Sequence, residues 1–301
     1  MNQKLVVIVF FVIFQLLTFC GRSIPQFDGE NAFSYLQKQC EFGPRVPGSE
    51  TAKQCLEFLK LELVKFTEHV VEQKFQYYDK IREKNLLLTN LLASFNPEKK
   101  QRVFLAAHWD TRPTADRDPK MENHNKPIIG ANDGASGVAV LLEIARNLKK
   151  EPPSIGIDII LFDGEDYGRE GHLDEYFLGS RYFAEQAGNY RPKYGILLDM
   201  VGDAQLSIPK EGYSQQYLPH IVDKIWQTAE SLGVFQFERR VGEYINDDHR
   251  MLIDKGIPCI NIIDFDYPYW HTMADTPDKC APQSLEVVGT VILHVIYNED
   301  I

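Results

Sequence analysis

Four short segments of this chain are apolar almost without interruption: "RVFLAAHWD" (102–110), "IGIDIILFD" (155–163), "KYGILLDMVGD" (193–203) and "IPCINII" (257–263). A strand with one wet face alternates apolar and polar residues. A strand apolar on both faces must be covered on both, as in the centre of a parallel sheet with helices on either side. Two further runs, "HVVEQKF" (69–75) and "NLLLTNLLASF" (85–95), also read as strands. Helical patterns surround them: "ETAKQCLEFLKLELVKF" (50–66), "ASGVAVLLEIARNLKK" (135–150), "FLGSRYFAEQA" (177–187), "YLPHIVDKIWQTAESLG" (217–233) and "SLEVVGTVILHVI" (284–296). Strands alternating with helices predict a three-layer α/β sandwich around a mixed, mostly parallel sheet. In such sheets ligands collect outside the carboxyl ends of the strands.

No Gly/Ser-rich linker or internal repeat divides the 301 residues, of which 44% are hydrophobic, so residues 31–301 are expected to form a single domain. The formal net charge of −11 argues against a nucleic-acid partner, which would demand clustered cations. The N-terminus reads differently. Lys4 is followed by an apolar run from Leu5 to Phe19, short for a bilayer span and right for a signal-peptide core. The sequence "LLTFCG" resembles the lipid-attachment site of bacterial lipoproteins, with Cys20 as the acceptor. Residues 1–20 are therefore expected to be a signal peptide and 21–30 a tether. The protein is expected to be exported to the periplasm and held on the membrane through a lipidated Cys20. An ordinary signal peptide cut a few residues later is the alternative. The mature region has an even number of cysteines, and the pairings Cys40–Cys55 and Cys259–Cys280 stay open.

The strand ends carry the chemistry. The first central strand ends in "HWD", with His108 and Asp110, and the second in "GED", with Glu165 and Asp166. The third ends at Asp199, and the fourth runs into "DFDYPYWHT", with His271. Asp133 stands among glycines in "GANDGASG", and "NDDHR" supplies Asp247. One acid at a strand end is ordinarily a cap or a solvated turn. Four strand ends and the turn bearing Asp133, five places presenting Asp, Glu or His on one rim, point instead to a divalent metal of the zinc type.

Taken together, "AAHWDTRP", "GANDGASGVAVLLEIAR", "LFDGEDYG", "LLDMVGD" and "DDHRMLIDKGIPCINII…WHTMADTPDKC" resemble the zinc aminopeptidase-like (M28) fold. More narrowly they resemble its glutaminyl-peptide cyclotransferase branch in the bacterial form, over roughly residues 30–297. The resemblance implies one catalytic zinc held by Asp133, Asp166 and His271, with a fourth position open to water or substrate. It implies Glu165 as the proton-transfer group, Asp199 and Asp247 as a carboxylate network beside it, and Trp270 as an aromatic packing on the substrate side chain. The implied substrates are peptides or proteins with N-terminal Gln, cyclised to pyroglutamyl with loss of ammonia. Asp166 is Glu in many relatives, and Asn261 is His in animal ones.

Two other readings stay open. Two-zinc aminopeptidases of the same fold use a second metal site, and its ligands would be His108, Asp199 and Asp133, all present here. A binding module without chemistry would have lost ligands or base, which this chain retains. Arg112 and Arg169 read as solvated surface, with the pocket entrance as the alternative.

Overall fold

The structure, a computed structural model, describes residues 24–299. In chain order it runs α1 (Gly29–Glu41), α2 (Glu50–Phe66), β1 (Val70–Asp79), β2 (Lys84–Phe95), β3 (Arg102–His108) and α3 (Ala135–Lys150). There follow β4 (Gly156–Phe162), α4 (Leu178–Gln186), β5 (Tyr194–Asp199), β6 (Ile208–Lys210), α5 (Gly212–Tyr217) and α6 (Pro219–Ser231). The chain closes with β7 (Phe237–Val241), α7 (Asp248–Ile253), β8 (Cys259–Ile263) and α8 (Pro282–Tyr297).

Alternate residues of the central strands enter two separate cores. On β3, Val103, Leu105 and Ala107 pack into one, and Phe104 and Ala106 into the other. On β4, Ile157, Ile159 and Leu161 are divided from Ile160 and Phe162 in the same way. That is why the apolar runs are unbroken. The larger core is roofed by α1, α3, α6 and α8, and the smaller one includes Phe183 of α4 and Leu252 of α7. The six-stranded sheet has the order β1-β2-β4-β3-β5-β8. β4/β3, β3/β5 and β5/β8 are parallel, and β1/β2 and β2/β4 antiparallel, so the sheet is mixed. The registers His108–Phe162 and Asp199–Ile263 bring the carboxyl ends of β3, β4, β5 and β8 to a common rim.

The structure corrects several expectations. The tether does not extend to residue 30: Phe27 is buried in the larger core, against the face of α8 that Gly289 leaves bare. Asp28 caps α1 through Asn31 N, and Asn31 Nδ2 donates to the buried Glu143 at 2.6 Å. The four cysteines from Cys40 to Cys280 are free thiols, so neither pairing forms. The helical stretch 217–233 begins only at Pro219, whose ring suits a first helical position, and α5 precedes it. Among the described residues no helix is long and apolar enough to cross a membrane. The apolar leader and Cys20 lie outside the described residues.

Candidate active site

Each acidic turn is held by a second, deeper acid. After β4 the chain turns at Gly164, whose φ of +75° suits glycine. The next two amides, Glu165 N and Asp166 N, donate to Asp110 Oδ1 and Oδ2 at 3.0 and 3.2 Å. Before α3, Asn132 N and Asp133 N donate in the same way to Asp275 Oδ1 and Oδ2 at 2.8 and 3.1 Å. Tyr267 Oη adds a third donor to Asp275. Gly134, at φ +104°, lets this turn pass against the Asp110 carbonyl, which a Cβ would meet at 2.4 Å. Asp110 and Asp275 are fully buried, spend their oxygens on these donors and do not line the cavity beside these turns. They aim the residues that do.

Asp133, Glu165, Asp166, Asp199, Asp247, Trp270 and His271 all line one cavity of about 550 Å³. Asp133, Asp166 and His271 present ligand atoms within 4.8 Å of one another. His271 Nε2 is 3.6 Å from Asp133 Oδ2 and 3.3 Å from Asp166 Oδ2. Asp166 Oδ2 is buried without a hydrogen-bond donor among the described residues. An orphaned carboxylate oxygen facing an imidazole nitrogen and a second carboxylate fits a divalent cation, since burial without a partner is otherwise costly. The donor set, two carboxylates and one imidazole, suits zinc. His271 adopts a left-handed backbone, φ +55°, and Arg117 N donates to its carbonyl.

The second group, His108, Asp133 and Asp199, also meets within 4.8 Å. His108 Nε2 lies 3.1 Å from Asp133 Oδ1 and 3.2 Å from Asp199 Oδ1. His108 is buried behind the cavity wall and does not line it.

Glu165 opens into the cavity with its side chain 12% exposed. Burial pushes its carboxyl well above the usual carboxylate range; His108 opposes this, while Asp166, Asp247 and Asp248 add to it. Asp247, the N-cap of α7, is raised well above the usual range by burial and then by Asp199 and Asp248. Its Oδ2 accepts from Asn261 Nδ2 at 2.6 Å, so Asn261, in the middle of β8, holds this acid in place. Trp270 stacks on His271 with ring centroids 3.9 Å apart and leans on Phe265.

Arg112 differs from expectation. It is neither solvated nor a simple entrance residue but 1% exposed, bonded to Asp116, Asp166 and Tyr176. Arg169 pairs with Glu175 away from the cavity lining. Asp116 and Asp275 were missed by sequence reasoning. Their neighbours Arg112 and His271 were in view, but nothing local marks which acid will fold back onto a ligand.

The wall segment 243–247 is secured by the buried Glu211. Its Oε1 accepts from Tyr213 N and Ile245 N, and its Oε2 from Ser214 N, with His249 Nε2 at 3.1 Å. Burial by itself would raise this carboxyl, but His249 and the other donors outweigh it and hold the pKa down at about 2. A carboxyl depressed in the fold contributes stability that is complete above its unfolded value of 4.5 and lost as pH falls toward 2. The contribution is about 3 kcal/mol. Urea unfolding between pH 6 and 2 should show this loss, and Glu211→Gln should be less stable at pH 6 with a flatter acid limb. An unchanged limb would remove Glu211 from this role.

The chain belongs to peptidase family M28, whose profile matches residues 90–296. Within that family it stands with the glutaminyl cyclases of the bacterial type. It is 40% identical to a Bacteroides thetaiotaomicron glutaminyl cyclase solved with N-acetylhistamine, over 92% of this chain and 100% of that one, at a TM-score of 0.89. A zinc-dependent exopeptidase from Parabacteroides distasonis is 39% identical over the same shares, also at 0.89. The glutaminyl-peptide cyclotransferase of Boiga dendrophila is 24% identical, covering 83% of this chain and 75% of its own length.

Proposed function

We propose that this enzyme is a glutaminyl-peptide cyclotransferase. It converts the N-terminal glutaminyl residue of a peptide or protein to pyroglutamyl and releases ammonia. The observation that supports this most is Glu165, a raised, cavity-facing carboxyl next to a three-ligand metal cluster. Asp133, Asp166 and His271 would hold one zinc ion. Zinc bound there supplies Lewis acidity to the γ-amide carbonyl and to the charge that develops on its oxygen.

The chain's own residues do the rest. The α-amine nitrogen bonds to the γ-amide carbon, the bond to the amide nitrogen breaks, and ammonia leaves. Glu165 takes the proton that the attacking amine loses and returns it to the departing nitrogen, so nothing is consumed. A raised pKa suits this exchange near neutral pH. Asp199 and Asp247 crowd the same wall, and the charge of Asp247 helps to raise the Glu165 carboxyl. Trp270 narrows the cavity over a small planar side chain, and since both reacting groups belong to one residue, folding that residue back is most of the task. Incubation with a glutaminyl dipeptide should yield ammonia and the pyroglutamyl dipeptide in equal amounts, with no free glutamine. Release of free glutamine would reject cyclisation.

The cluster of His108, Asp133 and Asp199 supports a second reading, a two-metal aminopeptidase, in line with the exopeptidase among the similar structures. About two zinc ions per purified chain, together with free amino-acid products, would favour it.

The membrane anchor is also part of the proposal. "LLTFCG" supports cleavage before Cys20 and lipidation of its thiol, and two or more acyl chains suffice for stable anchoring. Intact-mass measurement of native protein should give a chain starting at acylated Cys20, found with membranes. An unmodified chain starting beyond Cys20 would reject it.

A further inference from the structure

Asp166 and His271 come from different loops, after β4 and after β8, yet both are tied to a third loop, after β3. Arg112 Nη1 donates to Asp166 Oδ1 at 2.6 Å. Its Nε and Nη2 donate to Asp116 Oδ1 and Oδ2 at 2.9 and 2.6 Å, a paired contact, and Nη2 also reaches Tyr176 Oη at 2.9 Å. Asp116 Oδ1 in turn lies 3.5 Å from His271 Nδ1, on the far side of the imidazole from Asp133 and Asp166. Arg112 is fully enclosed, whereas the Asp116 side chain keeps 22% of its surface exposed.

We propose that Arg112 and Asp116 form one positioning unit that sets two of the three metal ligands at once. Arg112 occupies one oxygen of Asp166, leaving only Oδ2 for the metal. Asp116 faces Nδ1 of His271, which fixes the ring so that Nε2 points to the same place. The arrangement answers a geometric need. Asp166 is a short side chain on a turn, and without a clamp its carboxylate could swing to offer either oxygen or both. The planar guanidinium can meet two carboxylates in fixed directions, which an ammonium cannot. Partners of this kind typically govern 10–100-fold in metal affinity.

The inference rests on the proposed metal site but not on the reaction. It is tested by zinc affinity, from competition with a chelator, and by the visible spectrum of the cobalt-substituted protein, both without substrate. Asp116→Asn keeps shape and removes the charge facing His271; it should fold, bind zinc roughly 10–100-fold more weakly and shift the cobalt bands. Arg112→Lys keeps the charge but not the fork, and should bind zinc as weakly as Arg112→Met. Wild-type affinity and an unaltered cobalt spectrum in Asp116→Asn overturn the proposal even if the Arg112 variants fail to fold. Full recovery in Arg112→Lys overturns it too, since charge balance alone would then suffice. If the wild type binds zinc tightly yet does not cyclise glutaminyl peptides, the proposed reaction fails and this unit stands.

Discussion

Glu165→Gln is expected to lower turnover roughly 10²–10⁴-fold while leaving the fold and the metal content unchanged. The substitution is isosteric. The backbone amide of Glu165 still donates to Asp110, because that contact uses the main chain. Asp166, the proposed ligand next to it, keeps its own amide bond to Asp110 and its side-chain bond to Arg112. What is lost is a group able to accept a proton and give it back. Such loss should appear in kcat, with KM for a glutaminyl peptide changing little, because the amide side chain still fills the same space. Steady-state kinetics and zinc content on the same preparation decide it. A variant retaining more than about a tenth of the wild-type rate, outside the range expected for a lost proton-transfer group, would remove Glu165 from the role.

His271→Ala should lose zinc and activity together, whereas His108→Ala should keep about one zinc per chain. His271 is one of three proposed ligands, and two carboxylates alone make a poor zinc site at neutral pH. Alanine keeps the Cβ and so the same left-handed backbone strain that His271 already carries, and circular dichroism on the same sample should show the fold retained. His108 contacts Asp133 and Asp199 through Nε2 but stands outside the cavity lining. Its removal deprives both acids of a partner and should cost stability without emptying the site formed by Asp133, Asp166 and His271. If the wild type holds two zinc ions and His108→Ala halves that number, the dinuclear reading prevails.

Those strands that read as apolar throughout were legible because burial on both faces leaves no freedom in composition. β3, β4, β5 and β8 each divide their residues between two cores. The helices α2 and α3 follow their apolar periodicity to the residue. α1 was missed, and its residues partly assigned to a tether, because its burial is supplied by α3 and α8 from far along the chain. β6 and β7 are too short, and at Arg239 and Arg240 too polar, to declare themselves. The disulfide pairings were open in the sequence because thiol count says nothing about side-chain direction.

The residues at the site were also legible, since acids and histidines at several strand ends are rare enough to mark a rim. What the sequence by itself determined is which side chains could reach that rim, because strand ends in a sheet wound this way are brought together by topology. Only the tertiary structure decided which acids turn outward and which turn in. Asp110 and Asp275 are spent on backbone amides. Asp116, meanwhile, faces His271 from a loop far from it in sequence. Arg112 would pass for solvated surface in sequence, yet it is enclosed among Asp116, Asp166 and Tyr176. The physical reason is that a charged side chain carries no local signal of its partner. Its direction is set by whichever opposite charge the fold brings within reach once water is excluded.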